Sequence, residues 1–394
     1  MPSIDLQRFF VLVCRAVVIG VVAALGGMLI AHRWLWDATG KLIAGDFVDV
    51  WAAGHMAHDG RAAQVYDWTI HKAAEVAAVG HNFAGYYGWH YPPPFLFIAS
   101  AVARLPFVTA ELVWVIATLG LFAVIVQKIV CRPEAWVAAC AFPASLLNFA
   151  AGQNGFVTAS LLGAFLLFAR KRPYLSGLFL GLLAYKPQFG IVIPFVLIAA
   201  GRWQIVLSAV LTILAMIAAS WIAFGGETWL AFAQSVAVTN HEILESGRAG
   251  FNKLQSLFGI LMSLGSPYWL ALMAQGAIAI LVTVLTCLAW RDRRIEFDEK
   301  AALLVLAALT ATPYVYVYDY PVLFIACAFL LHGGVRDRTE GALLFATAFP
   351  IAAFPLLTPP EPLAPLSTLF VAVALARRRF IRRAAVLPAL PQTA

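Results

Sequence analysis

Long apolar runs, separated by short polar or basic breaks, cover nearly the whole chain. They fall near residues 9–31, 108–127, 134–150, 155–170, 173–186, 189–201, 203–224, 268–290, 299–313, 318–332, 340–356 and 364–376. Runs of this kind predict about twelve transmembrane α-helices and exclude the period-two alternation of a β-barrel. Several are shorter than the roughly 20 residues that a straight crossing needs, so tilted or broken helices are expected. Two apolar stretches, 91–104 and 254–265, do not fit the alternation of sides and are predicted to be half-buried helices at the outer face. The first run is too long for a signal-peptide core and no clear A-x-A cleavage site follows it, which predicts a retained first span.

Composition agrees. Of 394 residues, 62% are hydrophobic and 12% charged, with a mean hydropathy of +0.85, whereas a soluble domain carries roughly a quarter of its residues charged. The expected fold class is all-α: a polytopic integral membrane protein whose residues 1–394 form a single transmembrane domain. The formal charge of +7 is gathered in tight clusters: Arg8; Lys128 and Arg132; Arg170, Lys171 and Arg172; Arg202; Arg291, Arg293, Arg294 and Lys300; Arg336 and Arg338; and Arg377 to Arg379 with Arg382 and Arg383. Short basic loops stay in the cytoplasm, so the clusters place both chain ends inside and make 377–394 a basic cytoplasmic tail. They are explained without nucleic-acid binding. No organelle-targeting signal is visible, and short loops suit a multi-pass protein of a bacterial inner (plasma) membrane. The five cysteines lie in or beside apolar runs without a CxxC pair, so neither a disulfide framework nor a zinc site is expected.

The same assignment of sides sends seven polar stretches outward: DFVDVWAAG (46–54), YDW (66–68), WHYPPP (89–94), GQNG (152–155), YKPQ (185–188), NKLQS (252–256) and TPYVYVYDY (312–320). Polar groups at membrane depth are costly and mark function. Their convergence on one face predicts a site there, beside a large first outer loop at 32–93. Lys186 is placed at an outer turn between two short half-helices, where Pro187 frees backbone groups that a polar cavity satisfies; the plain alternative is a lysine that snorkels to the interface. Asp46 is the most suggestive acid, either a general base for a hydroxyl or the N-cap of the helix starting near Phe47. Asp319 binds substrate or caps the next helix, and Tyr91 with its three prolines contacts substrate or forms a rigid entry turn. His55, His58, His81 and His90 match no metal-ligand spacing, so neither a metal nor a cofactor is expected.

In their order and spacing, D-F-x-x-x-W-A-A-G, Y-D, Y-P-P-P-F, G-Q-N-G and Y-K-P-Q resemble glycosyltransferase family 87. These are membrane enzymes of the GT-C superfamily, related to polyprenyl-phosphate-mannose-dependent α-mannosyltransferases. The resemblance is clearest over residues 40–330. It implies a hexosyltransferase that moves a sugar, mannose first among the candidates, from a polyprenyl-phosphate donor to a hydroxyl of a lipid or glycan acceptor on the extracytoplasmic side. In such enzymes an acid of the first outer loop serves as the base, and Asp46 occupies that position. Asp49 falls where relatives more often carry a non-acidic residue and is the second choice.

A phosphate leaving group needs cations where charge develops rather than a general acid. Lys186 is the first candidate, with Lys253 and Arg248 as helpers. Gln153, Asn154 and Gln188 suit sugar hydroxyls, and Trp51, His90, Tyr91, Tyr318 and Asp319 complete the expected substrate-binding set with Asp49. A single base fits an inverting displacement, whereas glycoside hydrolysis uses two carboxyls. The expected partners are the donor, the acceptor and membrane lipids. A transporter or lipid flippase is the alternative, because proline-broken helices occur there too. Against it, the two halves show no internal repeat and the polar groups gather at one face.

Overall fold

The computed structural model describes residues 6–248, 250–359 and 361–386, with side chains for those from 10 to 380. The side chains of Arg8, Arg382 and Arg383, and residues 387–394 of the expected tail, lie outside the described set. Among the described residues every regular element is helical, and strand-like pairing is confined to two isolated bridges, Trp36 with Leu42 and Leu254 with Tyr316.

Helix α1 (Leu6–Ile30) leads into the long first loop, which carries α2 (Phe47–His58) and α3 (Trp68–Val79) and is followed by α4 (Leu96–Val102). After α5 (Phe107–Val130), one expected span is broken into α6 (Ala135–Ala141) and α7 (Pro143–Ala151). Pro143 cannot donate to the preceding turn, and the Ser145 hydroxyl caps the break by donating to the Ala139 carbonyl at 2.7 Å. The chain continues through α8 (Gly155–Phe168), α9 (Pro173–Leu182), α10 (Ile193–Ala199), α11 (Trp203–Phe224), α12 (Gly226–Asn240), α13 (Leu257–Ser263), α14 (Tyr268–Arg291), α15 (Phe297–Ala311), α16 (Pro321–His332), α17 (Arg338–Ala346), α18 (Ala348–Ala353) and α19 (Ala364–Val386).

Every predicted span contains helix, but they are unequal. Among the described residues, five helices are long and apolar enough to cross a membrane: Phe10–Ile30, Phe107–Val130, Trp203–Phe224, Tyr268–Arg291 and Arg338–Leu356. Gly155–Phe168, Pro173–Tyr185, Pro187–Ala199 and Val317–His332 are the short, broken class. Pro93–Val102 is a ten-residue apolar helix, too short to cross at 1.5 Å per residue, in line with the half-buried helix expected there. Two features differ from expectation. Residues 226–240, assigned no element from sequence, form α12, whose Phe232 ring lies 5.7 Å from Tyr66 of the first loop. The basic tail is helical through Val386, and Arg378 is buried, donating to Glu340 and to the Leu330 and Gly334 carbonyls.

The centre is built from α8, α15 and α16, which are apolar and buried on nearly every side. Beside them α9 lies tightly against α11 because of its small face. A Cβ at Gly177 would come within 2.5 Å of the Ile205 carbonyl and the Ser208 Cβ, and one at Gly181 within 2.5 Å of the Thr212 Cβ. This G-x-x-x-G spacing lets backbones approach where lipid offers no hydrophobic drive, and it fixes the end of α9 that delivers YKPQ. The basic segments lie at the opposite helix ends: Arg202, Arg291, Arg293 and Lys300 line one cavity of about 410 Å³, and Arg170 lies over the Phe297 ring.

Candidate active site

All seven polar stretches join in one network at the end of the bundle away from the basic loops. Tyr66 donates to the Tyr91 carbonyl at 2.9 Å, and the Tyr91 hydroxyl accepts from Asn154 Nδ2 at 2.7 Å. Gln153 Nε2 donates to Asp46 Oδ2 at 2.9 Å, which ties GQNG to the first loop. Tyr185 donates to the Asn154 carbonyl at 3.2 Å and shares a 2.6 Å hydrogen bond with Thr158. Lys186 donates to Asp319 at 2.7 Å. Leu254 pairs with Tyr316, and the Gln255 N–H donates to the Val315 carbonyl at 2.7 Å.

Two glycines make the GQNG turn possible. Gly152 ends α7 at φ 68°, a conformation glycine adopts without strain. Gly155 opens α8 against the Tyr318 carbonyl, with no room for a Cβ. Gln153 and Asn154 are thereby set between the first loop and the 312–320 segment.

Asp46 stands at the N-cap position of α2, yet its side chain makes no cap hydrogen bond; the carboxylate is held by Gln153 instead. Burial raises its pKa above the ordinary carboxylate range, while the Gln153 hydrogen bond and the Lys253 charge pull it partly back. A carboxylate whose pKa is raised is the stronger base in its ionised form. Tyr318 is within electrostatic reach of Asp46, and its ring centroid lies 6.0 Å from the Lys186 ammonium. One tyrosine thus neighbours both expected actors.

Lys186 does not snorkel. It is buried against Asp319, whose second oxygen accepts the Tyr316 N–H at 3.1 Å. Asp319 therefore both caps the short turn Val317–Asp319 and neutralises the lysine. The ammonium retains two N–H groups beyond the one given to Asp319.

The remaining candidates divide. Lys253 is exposed and close enough to act on Asp46, and Gln188 is half-buried beside Lys186 in the chain. Asp49 is drawn into the loop interior, accepting from or donating to His71 at 3.0 Å. Trp51 stacks on His55 and donates to the Leu105 carbonyl at 3.0 Å, which makes it a packing residue between the first loop and α5. His90 meets Thr239 at 3.0 Å and the edge of Trp68, and burial pushes its pKa down to about 4. Arg248 pairs with Glu242 at 2.9 Å over the Tyr86 and Trp68 rings, at the exposed surface.

Sequence reading passed over His71 and Glu75, which the fold buries together with Asp49. Among the described residues these three form the group able to hold a cation. The available signal was the i,i+4 spacing of HKAAE, which puts both side chains on one face of α3.

A sequence model of glycosyltransferase family 87 matches residues 89–313, more than half of the chain, and takes in WHYPPP, GQNG, YKPQ and NKLQS. The chain belongs to glycosyltransferase family 87. Searches among curated proteins and among solved structures return no match. As a family 87 member the chain is a membrane glycosyltransferase, and the GT-C superfamily fits its all-helical architecture. Asp46 lies N-terminal to the matched family 87 segment and is joined to it through Gln153.

Proposed function

We propose that the chain is an inverting hexosyltransferase that takes mannose from a polyprenyl-phosphate donor and places it on a hydroxyl of a lipid or glycan. The observation that carries this reading is the half-buried Asp46 carboxylate, held by Gln153 within reach of the Lys253 charge and beside Tyr318. In the proposed step the acceptor oxygen attacks the anomeric carbon as Asp46 takes its proton. The bond from that carbon to the phosphate oxygen breaks, and polyprenyl phosphate leaves with the electron pair. Lys253, with the remaining donors of Lys186, offsets the charge on the departing phosphate, and Arg248 stands farther out as an approach cation. Gln153, Asn154 and Gln188 offer donors and acceptors to sugar hydroxyls.

The side follows from charge. With the basic clusters at one end of the bundle and the polar network at the other, the positive-inside rule turns the site outward, in a bacterial plasma membrane. Family membership leaves the transporter alternative without support. The test is transfer of labelled sugar from polyprenyl-phosphate mannose to a membrane-lipid extract by the purified chain. Transfer that is present in the wild type and absent in Asp46→Asn supports the reading. No transfer from this donor by an active, folded preparation supplied with other polyprenyl-phosphate sugars as positive controls overturns the choice of mannose.

A further inference from the structure

The first loop buries three ionisable side chains against one another, one of them, Asp49, about a helical turn from Asp46. His71 Nε2 lies 3.0 Å from Asp49 Oδ1 and 3.7 Å from Glu75 Oε1, and one ligand atom from each residue falls within 4.8 Å of the others. All three are more than nine-tenths buried. Glu75 is completely enclosed, yet neither of its oxygens makes a side-chain hydrogen bond of good geometry; the Tyr87 backbone N–H approaches it, and its nearest cation, Lys72, stands 3.8 Å away over the Phe83 ring. Buried carboxylates are almost always hydrogen-bonded, paired or bound to a metal. A glutamate serving only to fill space in α3 would be replaced at less cost by an apolar residue.

We propose that Asp49, His71 and Glu75 bind a divalent first-row transition cation. Two ligands about 2.1 Å from one ion stand about 3.0 Å apart at right angles and about 3.4 Å apart in a tetrahedron. The Asp49–His71 spacing already fits, whereas Glu75, 3.7 Å from His71 Nε2, must move closer to complete the set. Two carboxylates and one imidazole suit Zn²⁺ or Mn²⁺ better than Ca²⁺, which prefers an all-oxygen shell. The ligands come from two helices, so the ion ties α2 to α3. Asp46 precedes Asp49 by about one helical turn, so the ion also places positive charge near the carboxylate that faces Gln153. Buried His90 adjoins His71 closely enough to interact with it electrostatically.

The test uses the full-length, tag-free chain in detergent, stripped with a chelator and then equilibrated separately with Zn²⁺ and with Mn²⁺. The expected result is about one equivalent of one of these ions retained per chain, measured by elemental analysis, with a rise in melting temperature on addition. Glu75→Gln keeps the shape and removes a ligand charge, so it should weaken retention at least about tenfold, and His71→Gln should do the same. Retention of neither ion by the wild type overturns the proposal, as does equal retention by wild type and both variants. A metal-loaded Glu75→Gln chain that melts as high as the metal-loaded wild type also overturns it.

Discussion

Lys186 Nζ lies 2.7 Å from Asp319 Oδ1, and both side chains are almost wholly buried. Removing one member of such a pair leaves an uncompensated charge, which costs about 3–5 kcal/mol. Lys186→Met is therefore expected to lower the melting temperature in detergent sharply, and Lys186→Met with Asp319→Asn, which keeps an acceptor for the Tyr316 N–H, to recover most of the loss. The double variant also isolates the phosphate role. If it is stable but binds polyprenyl phosphate weakly, Lys186 contacts the donor; if donor affinity is unchanged, the pair is an anchor for the YKPQ turn.

Asp46→Asn keeps the size of the side chain and removes the base. Turnover should fall by about 10²- to 10⁴-fold, the usual range for a general base, with donor affinity nearly intact and the melting temperature unchanged. A variant that transfers sugar at the wild-type rate would remove Asp46 from the reaction.

The pH profile carries a second check on the same residue. Asp46 works only when ionised, so activity is present above its pKa and lost as pH falls through it. Burial raises that pKa and the Gln153 hydrogen bond lowers it. The acid limb of kcat/KM should lie above the ordinary carboxylate range, and Gln153→Leu should move it to still higher pH. A limb that stays in place in Gln153→Leu would show that another group controls it.

Gly177→Leu and Gly181→Leu test the scaffold. Each would force side-chain atoms into the α11 backbone or its Ser208 and Thr212 side chains, and overpacking of this sort costs about 1–3 kcal/mol or more. Both should melt lower and lose activity together, because α9 sets the position of Lys186. Substitution of Gly190, whose Cβ position is open, should be mild by comparison.

Polar residues in an apolar chain advertise themselves, which is why GQNG, YKPQ and TPYVYVYDY could be read as parts of one site before their contacts were known. Their partners could not. Lys186 and Asp319 are 133 residues apart, and nothing in either local pattern distinguishes a paired lysine from a snorkelling one. Asp49 stood as second choice to Asp46 and in the substrate-binding set because it shares the outer polar stretch 46–54. Its turn into the loop depends on α3, whose His71 and Glu75 carry no pattern that marks them as buried partners. The break at Pro187 was legible from proline chemistry, whereas the one at Pro143 was folded into a single expected span. Helix α12 was not, because its mixed composition gives neither a span nor a turn signal.

The helices that carry the polar network are short. α8 has 14 residues, α16 has 12 and α9 has 10, or about 21, 18 and 15 Å of rise, against a hydrocarbon layer of about 30 Å. Each starts or ends at the basic loops, so its other end stops well short of the far surface. The polar network, Lys186 and Asp319 included, thus stands at the ends of helices too short to span, and a bilayer matched to such helices would thin around them. For the proposed reaction this separates the routes of the two reactants: a prenyl lipid slides in sideways with its tail still solvated by its neighbours, while a hydrophilic acceptor descends from the water above.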